Sequence, residues 1–189
     1  MVNKIVFASG NSHKIKEVNE IAINSGIEFI APPSSFDPEE NGLTFEENSF
    51  IKAKEAARVS GQPSLADDSG LCVEALNGEP GIFSARYDTT AQKRINKLLN
   101  NLAESGNRNA KFVCAMTLVD ENGALLHQVI GECHGKIAMQ QSGTNGFGYD
   151  PIFIPDGYDM TIADMPENLK NKISHRAKAL NKMLEFLNK

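Results

Sequence analysis

Apolar residues in this chain alternate between short unbroken runs and helical spacings. Ile5-Val6-Phe7-Ala8 is an unbroken run, the pattern of a buried strand, and Ser9-Gly10-Asn11 breaks it. Ile15, Val18, Ile21 and Ala22 then recur at helical spacing until Ser25-Gly26, and Ile27 to Ile30 reads as a second strand. Residues 31–42 hold three prolines and several acidic residues, so they read as a loop. Thr44-Phe45-Glu46-Glu47 has the capping-box pattern and predicts a helix from Thr44 to near Gly61, with Phe50, Ala53 and Ala57 on one face. Gln62 to Leu65 is an extended approach into Ala66-Asp67-Asp68-Ser69-Gly70-Leu71, where Asp-Ser-Gly predicts a glycine turn.

A loop is expected over 77–88. Thr89-Thr90-Ala91-Gln92 then caps a helix carrying Ile95, Leu98, Leu99 and Leu102 and closed by Gly106. Two β-rich segments, 111–119 and 124–132, flank Asp120-Glu121-Asn122-Gly123, and Asn-Gly is a strong hairpin signal. Residues 141–149 are glycine-rich loop, and Ile152-Phe153-Ile154 is a short strand. The last helix is expected to begin with Ser174 as its N-cap and to bury Ala177, Leu180, Leu184 and Leu187. Helices mixed with strands and a hairpin predict an α/β fold on a mixed sheet.

Composition narrows the class. A chain of 189 residues, 41% hydrophobic and 23% charged, has the makeup of a globular protein with a sizeable core, one domain in two lobes. No apolar run reaches membrane-spanning length. The stretch from Met1 to Phe7 lacks the long apolar region of a signal peptide, so the expected location is cytoplasmic. A net charge of −5 argues against a broad nucleic-acid surface and permits a small basic pocket. The three cysteines, Cys72, Cys114 and Cys133, are far apart and lack metal-ligand spacing, so they read as free thiols in a reducing compartment.

The adjacent carboxylates Asp67 and Asp68 carry the most chemical information, because like charges are costly to bring together without a cation. Mg²⁺ takes one or two protein carboxylates plus substrate phosphates, which points to metal-dependent phosphate chemistry. Ser9-Gly10-Asn11-Ser12-His13-Lys14 joins a strand to a helix, where backbone N–H groups and Lys14 can meet an anion. Glu40 can join a metal beside Asp68, and Lys52 can reach phosphate. In Gly146-Phe147-Gly148-Tyr149-Asp150 the glycines admit a ligand while an aromatic ring stacks on a base. In Lys170-Asn171-Lys172-Ile173-Ser174-His175-Arg176, His175 and Arg176 fall in a helix's first turn, where a cation works against the helix dipole. Such rule-breaking is expected at functional sites.

Six blocks occur in order: Ser9-Gly10-Asn11 with Lys14 and Glu17; Glu40 with Leu43 to Phe45 and Glu47-Asn48; Ala66 to Leu71; Pro80 to Tyr87; Gly146 to Phe153; and Ser174-His175-Arg176. Together they resemble the inosine/xanthosine triphosphate pyrophosphatase family, house-cleaning enzymes that hydrolyse noncanonical purine nucleotides. The resemblance implies two lobes around an elongated mixed sheet with flanking helices, a nucleotide cleft between the lobes, and a homodimer. It implies Mg²⁺-dependent cleavage of dITP, ITP and XTP to the monophosphate and pyrophosphate.

Carried over by position, Asp68 is the catalytic base and a metal-site residue, and Glu40 is the other acidic metal-site residue. Ser9, Gly10, Asn11, Ser12, His13 and Lys14 hold the phosphates, joined by Lys52, and Ser69 lines the substrate site. Phe147, Gly148, Tyr149 and Asp150 hold base and sugar, and Lys170, His175 and Arg176 complete the base pocket. Donors from His175 and Arg176 would pair with a 6-keto oxygen and be left unpaired by adenine. Asn145, and Asn168-Leu169 before Lys170, depart from the family's commonest pattern. A pyrophosphatase for modified pyrimidines and a non-catalytic nucleotide or RNA module stay open as alternatives.

Overall fold

The computed structural model describes residues 3–189; Met1 and Val2, part of the stretch read for a leader, lie outside the described residues. The strands are β1 (Asn3–Phe7), β2 (Ile27–Ile30), β3 (Ser64–Val73), β4 (Asn109–Val119), β5 (Leu125–Ile137) and β6 (Phe153–Pro155). Among the described residues they form one six-stranded sheet in the order β2-β1-β3-β4-β5-β6. β1 pairs in parallel with β2 and β3, and β5 pairs antiparallel with β6, so the sheet is mixed as expected. The helices are α1 (Ser12–Ile21), α2 (Phe45–Ser60), α3 (Ala91–Asn101), α4 (Glu167–Ile173) and α5 (His175–Leu187). Among the described residues no helix is long and apolar enough to cross a membrane.

Local chemistry sets the element ends. Asn11 Oδ1 accepts the His13 N–H at 3.0 Å, and Thr44 Oγ1 accepts the Glu47 N–H at 3.1 Å. Thr90 Oγ1 does the same for Lys93 at 3.2 Å. Each side chain satisfies a donor that the helix start leaves without a partner. Gly61 ends α2 at φ +66°, where a side chain would be strained. At the predicted hairpin, Asp120 Oδ1 accepts the N–H groups of Asn122 and Ala124.

The structure differs from expectation at several points, among them a 3₁₀ helix over Gly81–Arg86 within the expected loop and the extension of β5 to Ile137. Asp67-Asp68-Ser69-Gly70 is not a turn, because β3 runs unbroken through it between β1 and β4 and ladder pairing overrides the local turn preference. α3 stops at Asn101, five residues short of Gly106. α4, which starts straight after Pro166, was not anticipated. The short strand is shifted by one residue, with Ile152 in a 3₁₀ turn.

Two compact units result. The first takes the chain through Asp68, then Cys114–Gly131 and His175–Lys189. In it Ile5, Phe7, Leu65 and Met116 pack with Val18 of α1 and Leu180 and Met183 of α5. Their strand neighbours Val6, Ala8 and Ala66 pack instead with Ala53, Ala56 and Ala57 of α2. Strand alternation therefore places α1 and α5 on one face and α2 on the other. The second unit, Ser69–Val113 with Glu132–Ser174, has a core of Leu71, Val73, Phe112, Ile137 and Phe153 with Ile95, Leu98 and Leu102 of α3.

α5 lies close against β5 at Gly131, where an added Cβ would collide with the His175 carbonyl and the Ala179 amide. We expect Gly131→Ala to destabilise the protein by about 1–3 kcal/mol through overpacking. A lowered urea midpoint checks this, and an unchanged midpoint would contradict it.

Candidate active site

The alternation that sorts the core of the first unit also sorts the two aspartates. Leu65 and Asp67 share the α1/α5 face, and Ala66 and Asp68 share the α2 face. Asp67 is fully buried and meets two cations. Its Oδ1 accepts Lys14 Nζ at 3.0 Å, and its Oδ2 accepts Arg176 Nη2 at 2.8 Å and Nε at 3.1 Å. The third guanidinium nitrogen, Nη1, donates to Glu17 Oε2 at 3.0 Å. Asp68 Oδ1 accepts Lys52 Nζ at 2.7 Å, and that ammonium also stands 3.4 Å from Glu40 Oε1. The repulsion expected between neighbouring carboxylates is thus relieved by sending them to opposite faces, each with its own cation.

These environments push the two acids apart. Burial raises the Asp67 carboxyl, but Lys14, Arg176 and Lys52 outweigh it and hold the group well below the usual carboxylate range. Burial raises Asp68, the Glu40 charge adds to the rise, and Lys52 only partly offsets them. Burial lowers the Lys52 ammonium, yet the carboxylates of Asp68, Asp67 and Glu40 together leave it above its ordinary value. The Lys14 ammonium is lowered by burial, with Arg176 and Lys52 adding to that effect against Asp67.

The donor set fits a hard divalent cation. Asp68 Oδ2 is buried without a hydrogen-bond partner among the described residues, and Glu40 is only half-buried. The cluster of Glu17, Glu40, Asp67 and Asp68 against Lys14, Lys52 and Arg176 holds one more carboxylate than cation. Among the described residues no group of three or more acidic, histidine or cysteine side chains converges. Two carboxylates, Asp68 and Glu40, are what the chain offers, and two is what Mg²⁺ takes when phosphates supply other ligands.

Before α1, Ser9 Oγ accepts the Asn11 N–H at 3.1 Å, while Gly10, Ser12 and His13 are exposed. From this loop Lys14 reaches the acidic cluster. Ser69 follows Asp68 on β3 and opens the second unit.

The second unit holds its own constellation. Asp150 Oδ2 accepts the Phe147 N–H and Lys170 Nζ, both at 2.9 Å, and the Lys170 ammonium lies 4.6 Å from the centre of the Phe147 ring. Gly146, at φ +74°, leaves no room for a Cβ beside Asp150. Asp150 therefore shapes the loop that presents the half-exposed Phe147. Tyr149 is buried, and its hydroxyl donates to the Ser84 carbonyl at 2.9 Å. His175 and Arg176 are both buried at the start of α5.

The order of these blocks along one chain has counterparts. A model of the Ham1 family matches residues 5–186. The chain belongs to the Ham1 family. It is similar to the dITP/XTP pyrophosphatase of Mannheimia succiniciproducens, 46% identical over 191 residues that cover 95% of this chain and 96% of the relative. It is similar to that of Nostoc sp. at 41% identity, covering 97% and 94%. The solved structure of a HAM1 protein from Coxiella burnetii matches it with a TM-score of 0.87 at 43% identity over 98% of each chain.

The sequence sets Glu17 in a motif of this Ham1-family chain without giving it a role, and it leaves open whether Asp67 touches the metal. The signal for Glu17 was its place one helical turn after Lys14, on the face that α1 buries. The Asp67 cluster makes a pH prediction. Its folded-state pKa lies below the unfolded value of about 4, so its stabilisation is present above that pH and is lost as pH falls towards the folded value. The stability gap between wild type and Asp67→Asn, from urea midpoints, should be full at neutral pH and narrow on acidification. A gap constant from pH 7 to 3 would contradict this assignment. At neutral pH, Arg176→Met should cost about 3–5 kcal/mol, because it takes the guanidinium away from two buried carboxylates.

Proposed function

We propose that this protein hydrolyses noncanonical purine nucleoside triphosphates (dITP, ITP and XTP) to the monophosphate and pyrophosphate, as a Mg²⁺-dependent enzyme that removes them from the nucleotide pool. The carrying observation is Asp68, a buried carboxyl with a raised pKa, one oxygen held by Lys52 and the other without a partner among the described residues. Membership of the Ham1 family and the activity for which the Nostoc and Mannheimia relatives are named support the same reaction.

The residues divide the work. Attack on a phosphorus between two phosphates needs an aimed nucleophile and neutralised charge. Asp68 Oδ2 accepts the proton of the attacking water, and the raised pKa brings this base nearer to neutrality. Lys52 fixes the other Asp68 oxygen and keeps Glu40 close. Lys14 stands among these groups as a point charge for phosphate. Mg²⁺ bound by Asp68 and Glu40 would neutralise phosphate charge and orient the anhydride. In the second unit, the Phe147 ring and the Lys170 ammonium beside it suit a purine: one stacks, the other donates to a keto oxygen. Cysteines kept as thiols suit the reducing cytoplasm, and the homodimer is carried by the family resemblance.

The test is pyrophosphate release with Mg²⁺ from ITP, dITP, XTP, GTP, ATP, dTTP and UTP. Fast turnover of the first three with little from the others is expected. Chelation of the metal should abolish it, and Asp68→Asn should lower kcat by about 100-fold or more while leaving the circular dichroism unchanged. Absence of turnover with every nucleotide would refute the reading.

A further inference from the structure

We propose that Asn48 is a positioning residue: its side-chain carbonyl holds the Gly42 amide and so fixes the turn that presents Glu40 to Mg²⁺. The proposal rests on the pyrophosphatase reading above and deepens it at the metal site.

Glu40 belongs to residues 31–44, which carry no helix or strand, and its side chain is half-buried. A carboxylate on unordered backbone would have to be fixed when the cation arrives, and that ordering weakens binding. The fold fixes it in advance. The Asn41 N–H donates to the Glu39 carbonyl at 3.0 Å, a three-residue turn with Glu40 at its centre. Two successive side chains of α2 then reach back to the backbone that follows. Asn48 Oδ1 accepts the Gly42 N–H at 2.9 Å, and Glu47 Oε2 accepts the Leu43 N–H at 2.6 Å. The loop lies so close that a Cβ on Gly42 would stand 2.8 Å from both Asn48 Oδ1 and Glu47 Cβ.

Asn48 carries the greater part of this hold. Glu47 is exposed, so water competes for its bond, whereas Asn48 is fully buried. Asn48 Nδ2 has no partner among the described residues, so this side chain is kept inside against stability. Such a residue is expected where its position serves a site. Its footing is rigid. Ser49 Oγ donates to the Glu46 carbonyl at 2.9 Å and bonds Thr117 Oγ1 of β4 at 2.6 Å. Gln128 Nε2 of β5 donates to Thr117 Oγ1 at 2.8 Å and to the Glu46 carbonyl at 3.1 Å. The first turn of α2 is thereby pinned to two strands. Four residues after Asn48, on the same face of α2, Lys52 stands 3.4 Å from Glu40 Oε1 and 2.7 Å from Asp68 Oδ1. One helix therefore holds Glu40 twice, by its backbone through Asn48 and by its side chain through Lys52.

The experiment compares the wild-type enzyme with Asn48→Leu, which keeps the bulk and removes the carbonyl. Two quantities are read: the Mg²⁺ concentration giving half-maximal ITP hydrolysis, and the exchange rate of the Gly42 amide hydrogen by NMR without metal or nucleotide. The Mg²⁺ requirement should rise by about tenfold or more, while KM for ITP at saturating Mg²⁺ stays within about threefold. The Gly42 amide should exchange about tenfold faster or more. An unchanged Mg²⁺ requirement, an equal rise in KM, or unchanged Gly42 exchange would each overturn the proposal. Should Asn48→Leu fail to fold, Gly42→Ala pushes the loop away from Asn48 and should raise the Mg²⁺ requirement by the same factor. No rise in that variant would overturn the proposal too. Ala57→Gly weakens α2 away from the loop and should leave the Mg²⁺ requirement within about twofold. A tenfold rise there would make the effect one of general helix stability and overturn the assignment. Failure of the pyrophosphatase reading would appear in the wild-type rate, whereas failure of this inference appears only in the variants.

Discussion

The pleat of β3 is the constraint on which the rest of the site depends. Adjacent residues of a strand face opposite ways, so Asp67 and Asp68 share a peptide bond but not an environment. Had Asp-Asp-Ser-Gly formed the turn that its composition favours, both carboxylates could have faced one side and competed for the same cations. Embedded between β1 and β4, each has one assignment. Asp67 is held by α1 and α5, and Asp68 by α2.

Burial of this charge is expensive, and the cluster repays it through pairing rather than exposure. Ions taken from water cost several kcal/mol each unless hydrogen-bonded partners recover the loss. On the Asp67 side the recovery is dense, with two cations and a second carboxylate behind the guanidinium. On the Asp68 side it is incomplete by one oxygen. That asymmetry separates the two acids in proton affinity, the pattern expected where one carboxylate is structural and its neighbour reacts.

Much of the fold was legible because the signals were local. Thr44, Thr90 and Asn11 cap helices, and Asn122-Gly123 turns a hairpin, through bonds spanning a few residues. The helix at 167–173 escaped because a single turn or two after Pro166 carries little apolar periodicity. The site was legible as a set of residues but not as a set of pairs. Lys14 and Asp67 are 53 positions apart and Asp67 and Arg176 109, and only the sheet register brings them together. Arg176 opens α5, and its burial against Asp67 could not be read from that place in the sequence.

The claim that the pleat divides the two aspartates between anchoring and reaction is tested most directly by the Mg²⁺ requirement. The measurement is the Mg²⁺ concentration giving half-maximal ITP hydrolysis in Glu40→Gln and in Asp67→Asn. If the metal is held on the α2 face, Glu40→Gln should raise that concentration by about tenfold or more, and Asp67→Asn should leave it nearly unchanged even as the rate falls. A rise in Asp67→Asn equal to that in Glu40→Gln would place both aspartates at the metal and contradict the account.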